Sequence, residues 1–210
     1  MGIYQDRIFP KLNGHLMGAV ELEDLRVELL SQAVGHVLEV GAGTGKNFIY
    51  YSRAITSLTT VEPNESFNRV ARRSIRHFNF PIDQRSQTVE LLTAADDSFD
   101  TVVSTLTLCS VGDIAAGLRQ IARVLKPQGK FLFLERSRSS DEDVAKWQHK
   151  LTPFHRLLGN GSHLDRPMLD EIRNAGFLVS DCDETIVPRL PRALGNLVYG
   201  VANLPSIPDV

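Results

Sequence analysis

The sequence predicts a doubly wound α/β fold on a mostly parallel sheet. Three observations predict it. Short aliphatic runs alternate with helical patterns along the chain. The runs are apolar on both faces, as strands covered by helices on each side must be. The first run opens into a glycine-rich loop, "LEVGAGTGKNF" (38–48). Right-handed crossovers between parallel strands then place helices on both faces of the sheet.

Taken in order, "HVLEVG" (36–41) reads as the first strand and "SLTTVE" (57–62) as the second. "DTVVSTLTL" (100–108) is the third, entered from the turn-rich "ADDSFD", and "KFLFLER" (130–136) is the fourth, after the breaker "KPQG". Between these last two, Ile114, Leu118, Ile121 and Leu125 keep the three-to-four spacing of an amphipathic helix. Asp113 is placed to cap its start, and Pro127 and Gly129 to end it. "MLDEIRNAGF" reads as a helix ending at Gly176, and "FLVSDCDETIV" and "NLVYGVA" read as further strands. No internal repeat, low-complexity tract or long linker interrupts the pattern. Residues 1–210 read as one domain with two additions: a helical stretch over 1–32, and an insertion over 138–168 before the last helix.

Composition narrows the function classes. The chain is 42% hydrophobic and 23% charged with a formal charge of −2, so bulk electrostatics makes no case for nucleic acid. Arg69, Arg72, Arg73 and Arg76 read as the solvated face of a helix rather than an anion-binding patch. The two cysteines, Cys109 and Cys182, form no CxxC motif, which fits a reducing cytoplasm. Asp6, Arg7 and Lys11 break up the N-terminal apolar residues, so no signal-peptide region is read there. No stretch approaches the ~18 apolar residues of a membrane span. Contact with a membrane surface stays open, as does oligomeric state.

Three ligands compete for the loop. A triphosphate needs GxxxxGK[ST]; here Asn47 follows Gly45-Lys46, and the leading glycine position holds Val40. A dinucleotide needs GxGxxG; Gly41 and Gly43 fit, but the third place is Lys46. The spacing that fits is acidic-x-Gly-x-Gly-x-Gly, through Glu39, Gly41, Gly43 and Gly45. That spacing resembles the loop of S-adenosylmethionine-dependent methyltransferases. The resemblance implies that Glu39 can attract the ammonium end of that cofactor, with the glycine backbone close to its tail and ribose, where a Cβ would collide. Glu62 ends the second strand about 20 positions later and is placed to accept from the ribose hydroxyls. Its alternative reading is a plain surface glutamate at a strand end.

The match extends beyond the loop. "SFDTVVSTLTLCSV" (98–111), "RVLKPQGKFLFLER" (123–136), "WQHKLTPFHRLLGNGSHLDRP" (147–167) and "YQDRIFPKLNGHLMG" (4–18) resemble the motifs of the bacterial type 11, class I Rossmann-like methyltransferases. The block over 147–167 is the most specific of them, and in looser form is similar to one in the thiol S-methyltransferases of animals. Bacterial phosphatidylethanolamine N-methyltransferases look like more distant relatives. The resemblance covers most of the chain. It implies a seven-stranded, mostly parallel sheet, an N-terminal helical lid and S-adenosyl-L-methionine as cofactor. It assigns cofactor contacts to Glu39, Gly41, Ala42, Gly43, Gly45 and Asn47, to Glu62, Pro63 and Asn64, to Thr88, Val89 and Glu90 near the adenine, and to Thr105 and Leu106 near the tail. Departures fall at Thr88 and Val89, and in the insertion, where His155, Asn160 and Ser162 replace the commoner Trp, Gly and Cys. These three read as a reworked acceptor wall or as drift in a surface loop.

Methyl transfer from a sulfonium needs orientation and proton management from the protein. A thiolate or neutral amine needs little more than placement, whereas a hydroxyl usually needs a base or a metal. No metal-ligand spacing appears among the six histidines. His163, in "GSHLDRP", either takes a proton from the nucleophile or anchors the insertion. Arg166 either binds an acidic group of the substrate or pairs with Asp165 or Glu135 as scaffold. Tyr4 either closes over the methionine tail or staples the N-terminal helix to the core. Cys109 reads as a buried small hydrophobe rather than a reactive thiol, and Trp147 as a packing anchor of the insertion rather than a substrate platform.

The expectation is therefore a cytoplasmic methyltransferase acting on a small-molecule acceptor, a thiol or amine first. A lipid headgroup or quinone is the second choice, which predicts an N-terminal helix presenting Ile8, Phe9, Leu12 and Leu16 to a membrane. A non-catalytic S-adenosylmethionine-binding protein and a nicotinamide-dependent oxidoreductase are the rivals from other classes.

Overall fold

A computed structural model describes residues 20–158, 161–187 and 190–205. One sheet of seven strands organises them. In chain order the elements are α1 (Val20–Leu30), β1 (Gly35–Val40), β2 (Ile55–Val61), α2 (Glu65–Ala71), β3 (Ile82–Arg85), β4 (Phe99–Thr105), α3 (Ile114–Val124), β5 (Leu125–Arg136), α4 (Glu142–Leu158), α5 (Met168–Asn174), β6 (Leu178–Ile186), α6 (Arg192–Gly195) and β7 (Asn196–Asn203).

The strand order is β3-β2-β1-β4-β5-β7-β6. Strands β1 to β5 run parallel, while β7 pairs antiparallel with both β5 and β6. The order reverses between β1 and β4, so the crevice at their carboxyl ends is where an open α/β sheet receives its ligand. Central strands are buried on both faces. Leu38, Val40, Val102, Phe131 and Phe133 pack into one core layer, and Val37, Leu58, Val103, Leu132 and Leu134 into the other. This follows from alternation along each strand, because consecutive side chains of "FLFL" point to opposite faces.

Local signals behave as expected at several points. Asp113 accepts a hydrogen bond from Ala116 N at 2.9 Å, capping α3. That helix stops at Val124, ahead of Pro127 and Gly129. The third predicted strand is shorter than its apolar run: β4 ends at Thr105, and a 3-10 turn takes up Leu108–Ser110. Strand β3, "IDQR", has no aliphatic run and escaped the pattern; it is visible only as a parallel partner of β2 at the sheet edge. A short helix, α6, follows the one read as last. Tyr4, Asn160 and the face drawn by Ile8, Phe9, Leu12 and Leu16 lie outside the described residues.

Candidate active site

The three loop glycines have three different reasons to be glycine. All adopt positive φ: +71° at Gly41, +52° at Gly43 and +78° at Gly45. A Cβ on Gly41 would stand 2.1 Å from Thr107 Oγ1, and one on Gly45 would stand 2.7 Å from the Phe48 ring. At Gly43 a Cβ would meet nothing within 4 Å. Of the three, Gly43 alone has open space beside it. Gly41 and Gly45 make room for the protein's own side chains. Between them, Ala42 is buried and its carbonyl accepts from Gly45 N at 2.9 Å.

Glu39 lies beneath the loop and is 1% exposed. Asn47 Nδ2 donates to Glu39 Oε1 at 2.8 Å, and the Tyr51 hydroxyl donates to Oε2 at 3.2 Å. Burial pushes the carboxyl up to about 7, against the pull of those two hydrogen bonds and of the Arg26 cation. Asn47 also donates to Thr105 Oγ1 at 2.8 Å, so both its amide hydrogens are committed. Asn47 thus orients Glu39 rather than offering side-chain donors to a ligand, while the Thr105 hydroxyl accepts from Asn47 and keeps its own hydrogen to donate. Leu106 holds φ +54° and donates its N–H to Leu134 O at 2.7 Å, which leaves its carbonyl for any further bond.

Glu62, at the carboxyl end of β2, is not a plain surface residue. It is 7% exposed, and burial raises its carboxyl. Its Oε1 accepts from Asn64 N at 2.8 Å and its Oε2 from Gly43 N at 3.1 Å. One carboxylate therefore joins the second strand to the open position of the glycine loop. Asn64 caps α2 by accepting from Ser66 N at 2.9 Å, and Pro63 beside it is exposed. On the next loop, Thr88 and Glu90 are half-buried. The Val89 side chain sits in the core, 3.0 Å from where a Cβ on Gly117 would stand, which leaves only its backbone for a ligand.

The turn after β4 is held by a residue the sequence reading offered only as a partner for Arg166. Glu135, at the end of β5, is fully buried. Its carboxylate accepts from Ser104 Oγ at 2.7 Å, Thr107 N at 3.0 Å, Leu108 N at 3.0 Å and Cys109 N at 3.4 Å. Thr107 in turn donates its hydroxyl to Gly41 O at 3.2 Å. The one signal available beforehand was a lone acid closing the apolar run "FLFLER". Tyr51 had no comparable signal.

The insertion closes on the same turn. His163 N donates to Cys109 O at 2.8 Å. The His163 ring is partly exposed, 3.9 Å from Asp165 Oδ1, and its pKa is lowered, by burial first and then by Arg166 and Arg156. These effects favour the neutral ring.

Three residues assigned to the acceptor wall turn inward instead. Arg166 is bonded as scaffold, though to backbone rather than to Asp165 or Glu135: its guanidinium donates to the carbonyls of Leu108 and Val111. Ser162 is buried, with its hydroxyl 3.4 Å from Cys109 Sγ. His155 is spent on both ring nitrogens, Nδ1 at 3.1 Å from Ser162 O and Nε2 at 3.3 Å from Arg136 Nη1. An arginine only donates, so Nε2 accepts and Nδ1 carries the proton. Cys109 is buried and its thiol is pushed up by burial and by the Glu135 charge, as a packing residue should be. Trp147 is the opposite of a packing anchor, at 60% exposed.

A family profile described as "Methyltransferase domain" matches residues 38–133, which run from the glycine loop to β5. Thiol S-methyltransferase TMT1B of Homo sapiens is 31% identical over 169 residues, covering 75% of this chain and 69% of that protein. The chain belongs to the S-adenosylmethionine-dependent methyltransferases. The Rattus norvegicus TMT1B is 35% identical over 145 residues, and the match spans 67% of this methyltransferase but only 59% of the rat protein. The methyltransferase thus covers about three-fifths of that relative's length. Among solved structures, the N-methyltransferase NodS of Bradyrhizobium japonicum WM9, in complex with S-adenosyl-L-homocysteine, shares the fold. Its TM-score is 0.70 at 14% identity, with 91% of each chain covered.

S-adenosylmethionine is therefore the cofactor, and the family is one of enzymes. The readings as a non-catalytic binder and as a nicotinamide-dependent oxidoreductase give way to this. Among the described residues, no helix of this methyltransferase is long and apolar enough to cross a membrane, and no cluster of side chains could hold a metal ion.

Proposed function

We propose that this methyltransferase acts on a small-molecule thiol, with an amine as the next choice, in a reducing cytoplasm. The observation that carries the reading is the place of His163. Its backbone is bonded to the turn that also bonds the glycine loop, and its ring is partly exposed in surroundings that favour the neutral form. A neutral imidazole accepts the proton a thiol loses. The names of the relatives, thiol S-methyltransferases, support the same acceptor. Both cysteines of the described chain are free, in keeping with a reducing compartment.

The residues present fit the cofactor. When bound, it supplies an electrophilic methyl group on a sulfonium. Glu62 would take the ribose hydroxyls on the lone pairs its two backbone bonds leave. Gly43 leaves open space beside that carboxylate. Glu39, oriented by Asn47 and Tyr51, would face the ammonium group, and the backbone of residues 88–90 the adenine. Residues 1–210 act as one domain in this reading, with 1–32 as the lid and 138–168 as the acceptor-side insertion.

The test is a panel of an alkanethiol, a primary amine and a catechol, with S-adenosylhomocysteine formation as the readout. Thiol turnover should lead, and His163→Gln should lower kcat and flatten its pH profile on the acid side. Full turnover by that variant across the pH range would remove the proton-accepting role; turnover of the catechol alone would remove the thiol.

A further inference from the structure

Helix α4 is amphipathic in the wrong direction for a helix that only closes a site. Its inward face buries Ala145 beside two hydrogen-bonded polar side chains, Gln148 and Thr152. Gln148 accepts from Ser139 N at 2.8 Å and donates to Ser137 O at 3.0 Å, and Thr152 donates to Asp165 Oδ1 at 2.9 Å while accepting from Leu164 N at 3.3 Å. Its outward face carries Trp147, Phe154 and Leu157, which are 60%, 71% and 81% exposed. Spacings of seven and three place these on one side of the helix. Large apolar side chains left together in water mark a contact surface rather than ordinary scatter.

Charge indicates what covers it. Lys146 and Lys150 interleave with the apolar residues, Lys150 Nζ lying 5.3 Å from the centre of the Trp147 ring. The helix has acids only in its first turn, where Glu142 pairs with Arg138 at 3.1 Å and Asp143 with Lys146 at 2.9 Å. From Val144 to Leu158 there is none. A second copy of this chain would set the same cations against each other across a two-fold axis. A helix with Trp, Phe and Leu outward, interleaved with lysines, suits the boundary between anionic headgroups and acyl chains.

We propose that the outward face of α4 lies on an anionic lipid surface, seating Trp147, Phe154 and Leu157 at the headgroup boundary. The inward face of the same helix braces the loop that carries His163, so docking brings the acceptor side of the crevice against the bilayer. An acceptor that partitions into lipid then enters from the membrane. This deepens the acceptor reading and rests on it for the placing of the acceptor.

Trp147 is the chain's single tryptophan, so its emission reports on this face alone. The full chain is mixed with vesicles of phosphatidylcholine, with or without phosphatidylglycerol, and followed by fluorescence and flotation. With phosphatidylglycerol the emission should shift to the blue and the protein should float, less so at high salt. Binding should fall by about ten-fold or more in F154S/L157S, and also in K146E/K150E. Wild-type protein that does not float with anionic vesicles overturns the proposal, as does unchanged flotation of F154S/L157S. So does a Trp147 emission already blue in vesicle-free buffer, with a dimer in sedimentation velocity. Turnover of a water-soluble thiol without vesicles should be the same in both variants and the wild type. Flotation without any methyl transfer would sink the acceptor reading and leave the lipid surface standing.

Discussion

Glu135 Oε1 lies 3.0 Å from the backbone nitrogen of Leu108, so a buried carboxylate on β5 holds the turn that leaves β4. The same oxygen receives Ser104 and Thr107. Three consecutive N–H groups, those of residues 107 to 109, converge on one side chain. The turn set this way delivers Thr107 to Gly41 and Cys109 to His163. Glu135→Gln keeps the shape but removes the charge and turns a donor toward other donors. The expected loss is about 2 kcal/mol of unfolding free energy, read by urea denaturation, with weaker S-adenosylhomocysteine binding. An unchanged midpoint would mean that the turn holds its geometry without the carboxylate.

Glu39 makes stability and cofactor binding depend on pH in opposite directions. Its folded carboxyl is raised to about 7 from an ordinary 4.5, so between those values the folded state holds more protons than the unfolded. Stability therefore falls as pH rises through that window and levels off above about pH 7, by on the order of 3 kcal/mol. Denaturation curves for wild type and Glu39→Gln isolate the Glu39 share of the slope, which should be missing in the variant. A bound ammonium favours the ionised form, so affinity for S-adenosylhomocysteine should climb with pH over the same interval and binding should release a proton. Calorimetry in two buffers of different ionisation enthalpy reads that proton; no buffer dependence would place the ammonium elsewhere.

Gly41→Ala and Gly43→Ala separate folding from binding. Both introduce a side chain at positive φ, at roughly 1–2 kcal/mol. At Gly41 the new Cβ also drives into Thr107, 2.1 Å away, whereas at Gly43 it enters open space. Thermal melts should show Gly41→Ala as clearly the less stable protein. Calorimetry should show Gly43→Ala folded but weak for S-adenosylhomocysteine. Wild-type affinity in Gly43→Ala would move the cofactor away from that position.

Glu62→Ala should weaken S-adenosylmethionine and S-adenosylhomocysteine alike, by roughly ten- to a hundred-fold for hydrogen bonds to a charged acceptor. It also frees Gly43 N and Asn64 N, so part of the loss reflects a loosened loop. Glu62→Gln, which can still accept from one of them, should fall between. Equal affinity in all three proteins would make the glutamate purely structural.

The sequence by itself determined the sheet's order of events: the apolar runs, the capped helix at Asp113, the glycine loop, and the acid ending the second strand. These features are local. Period, spacing and turn chemistry lie within a few residues of one another, and the cofactor they imply follows from the same short stretches. Strand β3 stayed hidden because its four residues carry no apolar run and exist as a strand only beside β2. Tertiary structure alone decided what each polar side chain of the crevice does. Glu135 finds the turn after β4 only through the pairing that sets Ser104 beside Phe133. His155, Ser162 and Arg166 are turned inward by partners distant in sequence, and Trp147 is turned outward because Gln148 and Thr152 took the buried face of α4. A hydrogen-bond partner across the fold costs nothing to the local pattern and leaves no mark on it. Register and packing choose such partners, and they exist only once the sheet has formed.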